Sequence, residues 1–117
     1  MKIYIDYDPP NWNEYINIER TNFYKVNKIK QQEKRLIKML VKEKYKGNYP
    51  IELIIKPHFK DHRRDLDNTR IKGLLDGLVS SGVIKNDNLM YIQRIVYEPI
   101  FDNKTGIEME IREWNKQ

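Results

Sequence analysis

The chain contains no cysteine among its 117 residues. That excludes disulfides and thiolate metal sites and fits a reducing compartment. No apolar run approaches the roughly 20 residues needed to span a bilayer. The opening Met1-Lys2-Ile3-Tyr4-Ile5-Asp6 is too short and too charged for a secretory signal. Neither an internal repeat nor a low-complexity linker is present. The length suits one domain, residues 1–117, with one modest core. A soluble cytoplasmic protein without membrane contact is expected. What is in excess is positive charge: 22 Lys and Arg against 17 Asp and Glu, a net +5. Such a balance favours an anionic partner, most often nucleic acid.

Residues 2–7 alternate Ile3 and Ile5 with Tyr4, which predicts a strand ended by Pro9-Pro10-Asn11. Residues 11–24 lack a period and predict an irregular loop. Val26, Ile29, Leu36, Ile37, Leu40 and Val41 then form a helical stripe inside a basic segment that includes Lys34 and Lys38. Gly47-Asn48 should close that helix. Ile51, Leu53, Ile54 and Ile55 predict a strand over 49–56 buried on both faces and ended by Pro57. Residues 58–64 form a basic loop. A second helix comes next, with Gly82 as its stop, and 83–88 connect it to a strand over 89–97. Ile107, Met109 and Ile111 alternate with Glu108, Glu110 and Arg112, giving a last strand with one wet face. That strand should pair with the preceding one as a hairpin across the 101–106 turn. The order β-α-β-α-β-β predicts an α+β domain, a mixed sheet covered by two helices.

The chemistry gathers at Arg63-Arg64-Asp65-Leu66-Asp67-Asn68. Asp65 and Asp67 lie two residues apart, and Asp87 comes later in Asn86-Asp87-Asn88. Carboxylates crowded together repel unless a cation sits among them, and hard cations such as Mg²⁺ take oxygen ligands. This is the pattern of a metal-dependent nuclease. Ile71, Leu74, Leu75 and Leu78 recur at helical spacing, and at about 100° per residue Thr69, Lys72 and Asp76 share the opposite face. Extending that helix back to Asp67 would swing its carboxylate into the apolar stripe, so Asp67 belongs at or just before the helix start, where Asp67 or Asn68 can cap. Each feature also has an ordinary explanation. Acids at a helix start cap it, and Lys72 with Asp76 can be a surface ion pair. Asp87 can be a turn residue, and His58 and His62 can be loop or phosphate-contacting residues. An EF-hand is excluded, because Thr69 and Arg70 stand where a ligand and a glycine are required.

Taken together, these residues resemble the RusA family of Holliday junction resolvases, small nucleases typical of phages and prophages. The resemblance rests on Asp65, Asp67, Asn68, Lys72, Asp76, Leu78 and Asp87, with Pro9-Pro10-Asn11 and Tyr15 near the start, and covers most of the chain. It implies a crossover junction endodeoxyribonuclease acting on branched DNA in recombination and repair, in a bacterial cytosol. Asp65, Asp67 and Asp87 would hold one or two Mg²⁺, with Mn²⁺ as the alternative, and Lys72 would be the catalytic cation. Asn68 and Asp76 would support them, and His62, Arg63, Arg64, Lys34 and Lys38 would contact phosphates. A symmetric homodimer would supply two sites for the two nicks. The chain departs from the family spacing once: Lys72 comes five residues after Asp67 instead of four. An extra residue ahead of the helix leaves Lys72 in its role, whereas one inside it turns Lys72 by about 100° and lets Arg70 substitute. Two rivals remain: a non-catalytic DNA-binding phage protein on the same scaffold, and a nuclease for other branched DNA.

Overall fold

The computed structural model describes residues 1–6, 23–60 and 71–115. Its elements, in chain order, are β1 (Lys2–Ile5), α1 (Phe23–Leu40), β2 (Ile51–Phe59), α2 (Ile71–Ser80), β3 (Ile92–Tyr97), β4 (Ile100–Phe101) and β5 (Ile107–Glu113). This is the α+β order read from the sequence, with a two-residue strand, β4, added between the last two.

The sheet is built on β2. Its apolar run is buried on both faces, and neighbours pair along both of its edges. β5 runs antiparallel on one side, with Leu53 opposite Ile111 and Ile55 opposite Met109. β3 runs parallel on the other, with Leu53 opposite Ile95. β1 joins antiparallel to the outer edge of β5, giving the order β1-β5-β2-β3. The expected hairpin between residues 89–97 and the last strand does not form. β4 continues along the edge of β2 that β3 occupied, and the turn after it carries the chain past the end of β2 to the opposite edge. Nearness in sequence suggested a hairpin, but the more apolar β2 takes the central place.

Pro57 lies within β2 rather than ending it. Backbone amides alternate between the two edges of a strand. His58 N–H donates to Gly106 O on the β5 side at 2.9 Å, while Ile55 O and Phe59 O accept from Glu98 and Asp102 on the other side. The Pro57 nitrogen therefore faces the gap between β3 and β4, and its missing hydrogen breaks no ladder bond.

Both helices pack on one face of the sheet. Their apolar side chains, Ile37 from α1 and Leu74 and Leu78 from α2, meet Ile3, Ile51, Leu53, Ile55, Met109 and Ile111 in a single core. α1 ends at Leu40, short of the expected Gly47-Asn48. Val41 still reaches the core, but Lys42, Glu43 and Lys44 are all exposed and would give another turn nothing to bury. The chain instead runs beside the end of α2, where Tyr45 N–H donates to Val83 O at 2.9 Å. α2 ends where Gly82 was expected to stop it. Gly82 has φ 75°, its N–H donates to Val79 O, and Val83 N–H donates to Leu78 O. This is a Schellman cap with the buried Leu78–Val83 pair that accompanies it. Gly77 lets the helices approach: a Cβ there would overlap the Ile37 side chain.

Candidate active site

β2, α2 and β3 form a parallel β-α-β crossover. The strand register, Ile51 opposite Ile92, requires α2 to carry the chain from the far end of β2 back to its beginning. In sequence, the acidic stretch falls between β2 and α2. His62, Arg63, Arg64, Asp65, Asp67, Asn68 and Arg70 fall outside the described residues. Lys72 is the second residue of α2 and is exposed; Asp76, one turn later, is half-buried. The Lys72–Asp76 pair thus stands on one helical face of α2.

Asp87 lies after the return, on a turn with well-defined bonding. Asn86 Oδ1 accepts from Asp87 N–H at 2.7 Å, and Asn88 Oδ1 accepts from Met90 N–H at 2.9 Å. Asn88 O also accepts from the N–H groups of Tyr91 and Ile92. The two flanking asparagines hold the turn and leave the Asp87 carboxylate exposed. From Lys72 to Ser80 the helix axis alone advances about 12 Å, and Asp87 follows seven residues after Ser80. Lys85 N–H donates to the Tyr49 hydroxyl at 3.1 Å, which fixes this segment beside the start of β2.

Lys34 and Lys38 are exposed along α1, as a phosphate-contacting face requires. The opposite face holds a residue missed in the sequence: Glu33 is 1% exposed. It falls four residues after Ile29 and four before Ile37, so the i,i+4 ladder already placed it in the buried stripe. Glu52 on β2 is a second buried carboxylate. It accepts from Arg112 Nη2 at 3.1 Å, and Arg94 lies beside it.

His58 was read as a loop residue and is instead a buried part of β2, its side chain 3% exposed. Nδ1 donates to the Asp102 carboxylate at 3.0 Å and Nε2 to Glu108 Oε1 at 2.9 Å. Both ring nitrogens can donate at once only in the imidazolium form, which two carboxylate partners favour. Burial lowers its pKa, but the hydrogen bonds and charge of Asp102 and Glu108 outweigh that, and the net shift is upward. Burial likewise raises the pKa of Asp102, while the hydrogen bonds from His58 and the Lys104 N–H bring it below the ordinary carboxylate value. The Tyr4 ring packs edge-on against His58, 6.2 Å between centroids. This cluster ties β1, β5 and the turn after β4 to the end of β2, two residues before the chain enters the 61–70 stretch. The signal in the sequence was positional: two residues after Lys56, His58 lies on the same face of β2.

Among the described residues no group of three or more His, Cys, Asp or Glu side chains could hold a metal ion. Of the three acids read as ligands, Asp87 alone is described. All three are carboxylates, and an all-oxygen donor set suits a hard divalent cation. No helix among the described residues is long and apolar enough to cross a membrane.

Two comparisons with known proteins bear on this arrangement. The family model for the endodeoxyribonuclease RusA matches residues 6–112. A protein of Aquifex aeolicus (strain VF5) named crossover junction endodeoxyribonuclease RusA is 33% identical over 117 residues, spanning 96% of this chain and 90% of the Aquifex protein.

Proposed function

This chain belongs to the RusA family of endodeoxyribonucleases, and from that premise we propose that it is a crossover junction endodeoxyribonuclease, which resolves four-way DNA junctions by paired nicks. The family match carries the reading, because it spans the acidic stretch, α2 and the Asp87 turn together. The whole of residues 1–117 acts as one endonuclease domain, working in the cytosol on branched DNA.

Asp65, Asp67 and Asp87 would hold Mg²⁺, or Mn²⁺ in its place, through charged oxygens. When bound, the ion lowers the pKa of a water and neutralises charge on the scissile phosphate. Lys72 sets its ammonium against the negative charge that develops on the phosphate oxygens. Asp76, one turn along the same face, orients Lys72. Asn68 caps α2 or orients one of the acids. His62, Arg63, Arg64, Lys34 and Lys38 hold backbone phosphates, which positions the DNA without reading its sequence. A four-way junction has approximate two-fold symmetry, and a homodimer presents two sites to it.

The test is nicking of a mobile four-way junction with and without Mg²⁺. Wild type should nick only with the metal. Asp65→Asn, Asp67→Asn and Asp87→Asn should each still bind the junction and fail to cut it. Wild-type activity in all three variants would dismiss these acids as the site.

A further inference from the structure

The sheet has a second face, turned away from the helices. Side chains alternate along a strand, so Ile3, Ile55 and Met109 enter the core, and Lys2, Tyr4, Lys56, Glu108 and Glu110 point the other way. An open cavity of about 540 Å³ lies on that face, and its lining includes Lys2, Tyr4, Lys56, Lys104, Glu108 and Glu110.

The charges in this cavity are unevenly matched. The register sets Lys2 opposite Glu110 and Lys56 opposite Glu108, positions from which two cross-strand ion pairs could form. Neither forms. Glu108 Oε1 accepts from His58 Nε2 at 2.9 Å, and Glu110 Oε1 lies 4.0 Å from Arg112 Nη1. Lys104 donates to Asp102 through its backbone N–H and not through its ammonium. Lys2, Lys56 and Lys104 therefore make no ion pair among the described residues. They come from β1, β2 and the turn after β4, which the sheet and the His58–Asp102 bond tie together. Lys2 and Lys56 stand two strands and two residues apart, about 12 Å between Cα atoms, close enough for two flexible four-carbon stems to meet around one group.

We propose that this cavity is a second DNA-contact surface, in which Lys2, Lys56 and Lys104 hold backbone phosphates, an inference that rests on the nuclease reading above. Lysine meets phosphate as a point charge, and such contacts position DNA without reading its sequence. Tyr4, the aromatic residue of the lining, is already engaged: its hydroxyl donates to Thr105 O and its ring packs against His58. The His58 cluster thereby gains a role beyond holding strands together. By taking Glu108 it leaves the Lys56 ammonium for DNA. Lys34 and Lys38 belong to α1, on the helical side of the sheet, so this surface is separate from the one they form. Free phosphate offers the same chemistry, and the two sources are separated by titration.

Both measurements are made without metal, so cleavage does not enter. In the first, backbone amide signals of isotopically labelled wild type are followed by NMR while a short linear duplex, or inorganic phosphate, is added. The duplex should shift the signals of Lys2, Tyr4, Lys56 and Lys104 at micromolar concentration, and inorganic phosphate should do so only at far higher concentration. Shifts there with phosphate but none with the duplex would assign the cavity to a free anion and overturn the proposal. In the second, a Lys2→Gln, Lys56→Gln chain is compared with a Lys44→Gln, Lys46→Gln chain, which loses the same charge outside the cavity. Losing two phosphate contacts should lower the slope of log affinity against log salt by about 2 and weaken junction binding about tenfold at moderate salt. The second chain should change its slope by less than about 0.5. Equal changes in the two chains would show that net charge alone acts, and the cavity would not be a phosphate site. A wild type that bound neither junction nor duplex would be a different failure, that of the nuclease reading, and would take this proposal with it.

Discussion

Gly77 couples the fold to the site, since it sets how closely α1 approaches the helix that carries Lys72. In an exposed helix, Gly→Ala gains about 1 kcal/mol. Here the added Cβ would overlap Ile37 Cδ1 and lie 3.2 Å from Cγ1 and 3.3 Å from Cβ of the same side chain. Rotating the end of Ile37 removes the first overlap but not the other two, and Ile37 is fully buried with nowhere to turn. Overpacking of this kind costs about 1–3 kcal/mol, so Gly77→Ala should be neutral to destabilising by about 2 kcal/mol after the propensity gain. The Ile37→Val change deletes the overlapping methyl and by itself should cost about 0.5–1.5 kcal/mol. In that background Gly77→Ala should cost less or become stabilising, a coupling of about 1–2 kcal/mol. Urea midpoints at unchanged slope, measured on all four proteins at one concentration, read this out. Additivity within about 0.5 kcal/mol would show that Ile37 does not set the helix spacing.

Lys72→Ala should lower the single-turnover cleavage rate by about 100-fold or more with little change in junction binding, because it removes stabilisation made only in the transition state. Arg70→Ala should be much milder, and the reverse ranking would reassign the catalytic cation. Junction affinity should fall steeply between low and moderate salt as lysines and arginines displace counterions; a flat dependence would make the basic surface mere solvation. The His58 cluster should show in stability against pH. His58 has a raised folded pKa, so its contribution is complete below the unfolded value of 6.5 and is lost as pH climbs through the folded value. Asp102 has a lowered one, so its share is present above 3.8 and lost as pH falls through the folded value. The stability gap between wild type and His58→Gln should therefore be widest between those two values and shrink on the alkaline side. An equal gap from pH 5 to about 9 would refute an imidazolium there.

Periodicity made most of the elements legible, and long-range pairing made the others opaque. α2, its Gly82 cap and the alternation of β5 are local, written in spacings of 3.6 and 2 residues, and they stand where those spacings placed them. The position of β3 is not local. Its partner is β2, reached by the crossover through α2, and the short β4 that also pairs with β2 is only two residues long. Pro57 misled for a related reason: a proline ends a strand only when its nitrogen faces a partner, and that depends on where the neighbouring strand leaves off. The site divides in the same way. The Asp65, Asp67 and Lys72 pattern is compact in sequence and could be read as chemistry, whereas the His58, Asp102 and Glu108 cluster spans 50 residues and appears only when β2 and β5 lie side by side. The crossover adds a constraint that no spacing along the chain expresses. It sets the Asp87 turn beside the start of β2 and Lys72 at the beginning of the helix that leads there, an arrangement that depends on which strand β3 pairs with.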